Sequence, residues 1–257
     1  MTPSDPNPPV SKPSAAEVLA LLESHRSIRV YTDEPIPLED VHAAVRAGQM
    51  ASTSSAVQAY CCIRVTDAAK RAVIAELAGP QEKVRIAPEF FVICGDHRRH
   101  TIAAERDGLT RDARLEAFLL AVIDASLFAE KMVIAFEAMG YGACYIGGLR
   151  NDLPRVDEVL GLPPGVFPLF GLCVGRPAQD PGRRPRLPIE AVLYENACPS
   201  NDVSLGHLAT YDDTYREYLD LRGADSKAWS EIMAGRFSRA ERENLSAYYQ
   251  SKGARFD

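Results

Sequence analysis

The stretch ARLEAFLLAVIDASLFAEKMVIAFEAM, residues 113–139, limits what this chain can fold into more than any other part of it. Its apolar residues cover more than one face of a helix, so the helix has to be buried in a core or between subunits. Glu116, Asp124, Glu130, Lys131 and Glu137 interrupt the run, and with those charges it falls short of a membrane span. It is expected to be a long buried helix of a soluble protein, stopped by Gly140 and Gly142.

A buried helix needs elements to pack against, and the flanking sequence supplies them. SAAE at 14–17 has the spacing of a capping box and leads into VLALLES, so a short helix delivers the chain to His25. Leu38, Val41, Val45 and Gly48 repeat at helical spacing until the hydroxyl-rich ASTSSAVQ breaks the pattern. YCCIRV and EFFVICG read as strands on either side of a helix that Asp67 caps and Gly79 ends. After the long helix, ACYIGG reads as a strand or turn, DLPRVDEVLG as a short capped helix and FPLFGLCVG as a buried strand. This alternation implies an α/β or α+β layer structure. From about 199 onward the texture changes to charge and tyrosine at helical spacing, as in TYDDTYREYLDLRG and SRAERENLSAYYQSKG, so external helices or helices wrapping a partner subunit are expected there. Residues 1–13 carry five prolines and no apolar signal core, and read as a flexible tail. The expected division is a tail at 1–13, a core at 14–198 and a helical C-terminal excursion at 199–257.

A net charge of -6 argues against nucleic acid and anionic membrane surfaces as partners. The six cysteines show no CxxC spacing, which points to reduced, buried thiols in a cytoplasmic protein. Cys61 and Cys62 are expected on opposite faces of one strand, too divergent for a redox pair. No metal site is expected, because the histidines lack ligand spacing. GYGACY lacks the third glycine of a dinucleotide fingerprint and follows a helix, and neither GxxxxGK[ST] nor GxSxG occurs.

Local basic and hydroxyl clusters remain: HRSIR at 25–29, STSS at 52–55, HRRH at 97–100 and RRPR at 183–186. Arginine forks and serine hydroxyls suit phosphate oxygens, so a convergence of these clusters makes a site for a phosphorylated cofactor. HRRH is expected to be a solvated surface loop. In HRSIR the apolar Ile28 ties the segment inward, and in RRPRLP the prolines fix the backbone on both sides of Arg186. Gly147 and Gly148 either end a strand in an ordinary turn or let backbone N–H groups approach a flat ring.

Taken in order, HRSIRVYTDEPI, STSSAVQ, GPQEKV, YIGGLRND, PLFGLCVGRP and RPRLP resemble the FMN-dependent nitroreductases, in particular the oxygen-insensitive NADPH nitroreductases and NADPH-flavin oxidoreductases. The resemblance runs from His25 to the C-terminus. It implies an α+β sandwich with a mixed central sheet flanked by helices, assembled as an intertwined homodimer. It further implies FMN as cofactor, NADPH as electron donor, and ping-pong two-electron reduction of small-molecule acceptors such as nitroaromatics or quinones. Its alternatives are a flavin reductase that supplies reduced FMN and a flavin-binding sensor without turnover. By the same resemblance His25, Arg26 and Ser27 would hold the FMN phosphate and ribityl chain, joined by Arg184 and Arg186. Arg29 would lie near the N1/O2 edge of the ring and Gly148 near N5, the two positions that would support catalysis. Thr53, Ser54 and Ser55, from the second subunit, and Gln81 would hold the polar edge, with Tyr145, Ile146, Gly147 and Gly148 beside the ring. In LRGADSKAW, shorter and less basic than in relatives, Arg222 and Lys227 would take the 2′-phosphate of NADPH.

Overall fold

One strand, Glu89–Asp96, is buried at every position, and the rest of its unit is arranged to cover it. In this computed structural model residues 13–257 are described, so all but the last residue of the expected tail lies outside the described residues. The chain forms two compact units: one runs to Pro181 and is rejoined by Asn244–Asp257, and the other is Gly182–Glu243. The change of texture at 199 falls inside the second unit.

The first unit begins with α1 (Ala15–Glu23), capped reciprocally by Ser14 and Glu17, then α2 (Leu38–Gln49) and strand β1 (Tyr60–Arg64). Next come α3 (Ala68–Leu77), α4 (Glu82–Ile86), β2 (Glu89–Asp96) and α5 (Arg98–Arg106). The expected long helix is α6 (Leu115–Ala138), followed by β3 (Gly142–Ile146), a 3-10 turn at Gly147–Asn151, α7 (Leu153–Leu160) and β4 (Val166–Gly175). Asp67 and Asp152 cap α3 and α7 as their sequences require, and Gly161 ends α7 in the left-handed conformation. Gly140, at φ +84, stops α6, whereas Gly142 already belongs to β3.

The strands lie in the order β1-β2-β4-β3. The α+β sandwich implied by the resemblance is the architecture found, but all three ladders within the chain are antiparallel, where a mixed sheet was expected. β1 reaches β2 through α3 and α4, and β3 reaches β4 through the 3-10 turn and α7.

Alternation along the strands feeds two cores. Phe91, Ile93, Ala143, Leu172 and Val174 face α6, which contributes Phe128, Met132, Val133 and Phe136. Phe90, Val92, Cys94, Cys144, Ile146 and Cys173 face the other way, onto Ile74 and Ala75 of α3, Val84 of α4 and Val156 of α7. Each fully buried Phe or Ile stabilises by roughly 1.5–3 kcal/mol, so a one-residue slip in β2 exchanges both cores at once. Cys61 packs on the α3 side and Cys62 on the α6 side, the opposite faces expected of them.

HRRH is not the solvated loop expected of it. His97 is 5% exposed, with Nε2 donating to the Ala117 carbonyl at 2.8 Å, and His100 Nε2 meets the Val57 carbonyl at 2.7 Å. An amphipathic turn explains the miss: Arg98 and Arg99 point outward while the two rings reach into the unit.

Burial, reinforced by the nearby Arg111, pushes the His97 imidazole down to about 4. A folded-state value below the ordinary one near 6.5 means stability that is full at neutral pH and lost as pH falls from about 6.5 through 4. His97→Gln keeps an Nε2 donor for Ala117 without the titration. Urea midpoints at pH 7 and pH 4.5 are expected to fall less for the variant than for the wild type, and parallel losses would remove His97 from the acid response.

Candidate functional site

α1 ends at Ser24, and the basic segment that follows runs along the free edge of β3. Ile28, 3% exposed, donates its N–H to the Ala143 carbonyl at 2.9 Å. A Cβ on Gly142 would lie 2.4 Å from Ile28 Cγ1, so this contact requires a glycine there. With Ile28 turned inward, its neighbours are turned out. His25 Nδ1 pairs with Glu137 Oε1 at 2.7 Å, and Arg26 pairs with Asp180 at 2.7 Å, beside a cavity of about 190 Å³ that Glu137 and Tyr141 also line. Arg29 is exposed and donates to the Ser27 carbonyl at 3.3 Å. No carboxylate pairs with Arg29 among the described residues, and the Ser27 hydroxyl has no hydrogen-bond partner there.

At the far end of β3 a second cavity, about 360 Å³, is lined by Ser126, Glu130, Tyr145, Gly147, Arg150 and Phe170. Tyr145 donates its hydroxyl to Glu130 at 3.0 Å, and burial with that carboxylate pushes the phenol up, so it remains a donor at neutral pH. Ile146 turns to the opposite face, into the α3-side core. The two glycines differ in kind. A Cβ on Gly148 would lie 2.2 Å from the Ala78 carbonyl, so packing against the end of α3 accounts for that glycine. Gly147 has only the Arg150 guanidinium, at 3.4 Å, in its way, and it is Gly147 that borders the cavity.

Gln81 turns back on its own segment, donating to the Gly79 carbonyl and accepting from Lys83. The Lys83 and Arg29 cations both act on the thiol of Cys144 in β3, which places two positive charges around that strand.

STSSAVQ carries backbone strain. Ser55, Ala56 and Gln58 have φ of 47, 57 and 51, in the left-handed region that disfavours residues with a Cβ. Two contacts hold it, the part-buried His100 at the Val57 carbonyl and the buried Asp124, which accepts the Ala59 N–H at 3.0 Å. The Thr53, Ser54 and Ser55 hydroxyls have no hydrogen-bond partner among the described residues. The segment is held in this strained conformation with Ser54 and Ser55 exposed.

The second unit holds the remaining expected residues. Its helices are α8 (Asn201–Leu221) and α9 (Trp229–Phe237). The Tyr211 hydroxyl donates to the Pro185 carbonyl at 2.9 Å, Arg184 hydrogen-bonds Tyr218, and Arg186 has no acidic partner among the described residues. Asp212, 9% exposed, accepts both the N–H and the hydroxyl of Ser230, capping α9 from α8 and so closing the loop that carries Arg222 and Lys227. Arg222 lies over the Tyr218 ring at 5.4 Å, while Lys227 is paired with Asp225 at 3.0 Å.

Residues 22–176 match the Nitroreductase family, and residues 184–257 match the Nitroreductase family, C-terminal domain. The chain belongs to the nitroreductase family. It is 43% identical over 236 residues, 90% of this chain and 95% of the other, to the FMN reductase (NADPH) of Bacillus subtilis. It is 39% identical to the NADPH-flavin oxidoreductase of Vibrio harveyi, over 90% of this chain and 95% of that one. Among solved structures, the NfrA1 nitroreductase from B. subtilis superimposes with a TM-score of 0.88 at 40% identity, covering 92% of this chain and 98% of that one.

For a nitroreductase the donor set suits FMN. Arg29 without a carboxylate, the unpaired Ser27, Thr53, Ser54 and Ser55 hydroxyls and the strained loop are features that a phosphate-bearing, flat, polar-edged cofactor would satisfy. Sequence reasoning missed Glu130, Glu137, Lys83, Asp124 and His100. The first two and Asp124 were legible only as breaks in an apolar helix, yet a charge retained in a buried helix is itself a signal of a polar partner.

The left-handed backbone at Ala56 gives a stability test. Ala56→Val puts a β-branched side chain at φ 57 and is expected to cost about 1–2 kcal/mol, while Ala56→Gly changes stability by less than about 1 kcal/mol. Urea denaturation measures both, and equal losses would contradict the strained conformation.

Proposed function

We propose that this protein is an NADPH-dependent FMN oxidoreductase that reduces small-molecule acceptors two electrons at a time. The observation that carries the reading is Arg29: an exposed guanidinium without a carboxylate partner, fixed beside β3 by the buried Ile28 one residue earlier. The names of the relatives, an FMN reductase and an NADPH-flavin oxidoreductase, support it.

Bound FMN would supply the redox chemistry, accepting hydride and passing electrons on. The chain's own residues bind and orient it. His25, held by Glu137, and Arg26 and Ser27 serve its phosphate end, with Glu137 fixing which imidazole nitrogen faces outward. Arg29 would supply positive charge to the ring edge on which negative charge develops, a contribution that grows toward the transition state. Gly147, which borders the second cavity, would lie beside the ring together with Gly148, the next residue of the 3-10 turn. Thr53, Ser54 and Ser55 serve its polar edge. Arg222 and Lys227 serve the 2′-phosphate of NADPH.

A homodimer is supported by α6. Leu115, Leu119, Ile123 and Leu127 recur every fourth residue on its outer side and are each 42–50% exposed, a stripe that a second copy of the chain would cover. That contact would leave the Thr53–Ser55 hydroxyls near the partner's cofactor. Nitroaromatics, quinones and free flavin fit an acceptor site open to solvent, and relatives named for flavin reduction and for nitro reduction support both kinds of acceptor. The six free cysteines support a reducing, cytoplasmic location. No helix among the described residues is long and apolar enough to cross a membrane.

Anaerobic rapid mixing of the FMN-loaded protein with NADPH or NADH, followed at the flavin absorbance, tests the assignments. Arg29→Ala is expected to slow reduction by both donors by about tenfold to a hundredfold, at saturating donor. Arg222→Ala is expected to raise the NADPH concentration needed for half-maximal rate and leave NADH unchanged. A loaded wild-type protein that neither donor reduces would favour a flavin-binding sensor.

A further inference from the structure

The edge strand β1 sets Cys61 directly opposite Cys94 of β2, and the same sheet holds a second such pair, Cys144 of β3 opposite Cys173 of β4. Directly opposed antiparallel residues have Cα atoms about 4.5 or 5.5 Å apart, and both spacings lie within the range a disulfide spans. Backbone separation therefore allows either pair to join, and the difference between them lies in access and acidity.

Cys144 and Cys173 are 4% and 0% exposed, and burial pushes both thiols up. Cys61 is only partly buried, at the rim of the α3-side core. Interaction with the Cys94 thiol, whose own hydrogen goes to the Val92 carbonyl at 3.9 Å, draws Cys61 down against the opposing effect of burial and holds Cys94 well up. Of the charged neighbours, Asp96 works against a thiolate at Cys61, and Arg99 and Arg98 work for it. Cys62, the next residue, faces the other core, and burial pushes it up to about 12. The five strand thiols thus divide into the partly exposed Cys61, its buried partner Cys94 across the ladder, Cys62 turned to the other core, and the sealed pair Cys144 and Cys173.

We infer that Cys61 and Cys94 are a peroxide-responsive thiol pair that forms a reversible disulfide between the edge strand and the centre of the sheet. The Cys61 thiolate attacks a peroxide oxygen; the O–O bond breaks, Cys61 becomes a sulfenic acid, and the departing hydroxide takes the proton Cys61 had released, leaving as water. The Cys94 thiol then attacks the Cys61 sulfur. The S–S bond forms, the S–O bond breaks, and a second water carries away the Cys94 proton. Each cysteine gives up one electron, and the hydrogen peroxide takes both. A dithiol reverses the reaction. The product ties β1, which follows directly from the strained 55–58 segment, to the buried strand beside it.

The test treats the FMN-loaded protein with graded hydrogen peroxide, alkylates the remaining thiols and maps peptides by mass. Expected is a cross-link between the Cys61 and Cys94 peptides, formed about tenfold or more faster than any loss of the Cys144 and Cys173 thiols and removed by dithiothreitol. Because Cys62 shares a peptide with Cys61, variants decide the connection: Cys62→Ser is expected to keep the link and Cys61→Ser to abolish it. Cys94→Ala is expected to stop Cys61 at a sulfenic acid that dimedone labels, which keeps the inference testable if Cys61→Ser fails to fold. A link through Cys62, sulfinic acid at Cys61 without a link in the wild type, or equal oxidation of both thiol pairs would overturn it.

Discussion

The packing of β2 between two helix layers is the constraint on which the rest of the first unit depends. Because it is buried on both faces, its even and odd residues serve separate cores, and β4, paired along its length, does the same. The register fixes where β3 lies, and β3 in turn fixes where the two glycine-rich approaches and the basic segment meet: Ile28 hydrogen-bonds to Ala143, and Gly142 makes room for it. Arg29 is aimed by a core contact one residue away. A functional side chain placed in this way loses little freedom on meeting a ligand, which is the physical meaning of preorganisation here.

α6 links that frame to chemistry. Its apolar residues fill one core, while Asp124, Glu130 and Glu137 each hold a different part of the surroundings: the entrance to β1, the Tyr145 hydroxyl and the His25 ring. A single buried helix thus sets three polar groups along β1, β3 and the basic segment. Its outer stripe of Leu115, Leu119, Ile123 and Leu127 is an apolar feature that the first unit leaves exposed.

Much of this was legible in the sequence, because caps, glycines and alternation are local. Ser14 with Glu17, Asp67, Asp152 and Gly161 mark helix ends through contacts within a few residues, and FFVIC announces a strand buried on both faces. What was not legible depends on distant partners. HRRH has the composition of a surface loop, yet His97 and His100 find carbonyls at Ala117 and Val57, far along the chain. YIGG shows two equivalent glycines, but only the fold reveals that Gly148 answers to the Ala78 carbonyl and Gly147 to an open cavity. Likewise, the adjacent cysteines 61 and 62 drew attention as neighbours, while the meaningful neighbour of Cys61 lies across the ladder at Cys94.

The central claim is that the basic segment after α1 holds a phosphate, so that the cofactor is bound as its phosphomonoester and not merely as a flat ring. Titrating the flavin-free protein with FMN and with riboflavin, followed by quenching of flavin fluorescence, tests this most directly. Charge-assisted hydrogen bonds contribute about 1.5–3 kcal/mol each, so two phosphate contacts predict FMN tighter than riboflavin by about a hundredfold or more, with the gap shrinking at high salt. Equal affinities for the two flavins would contradict the account.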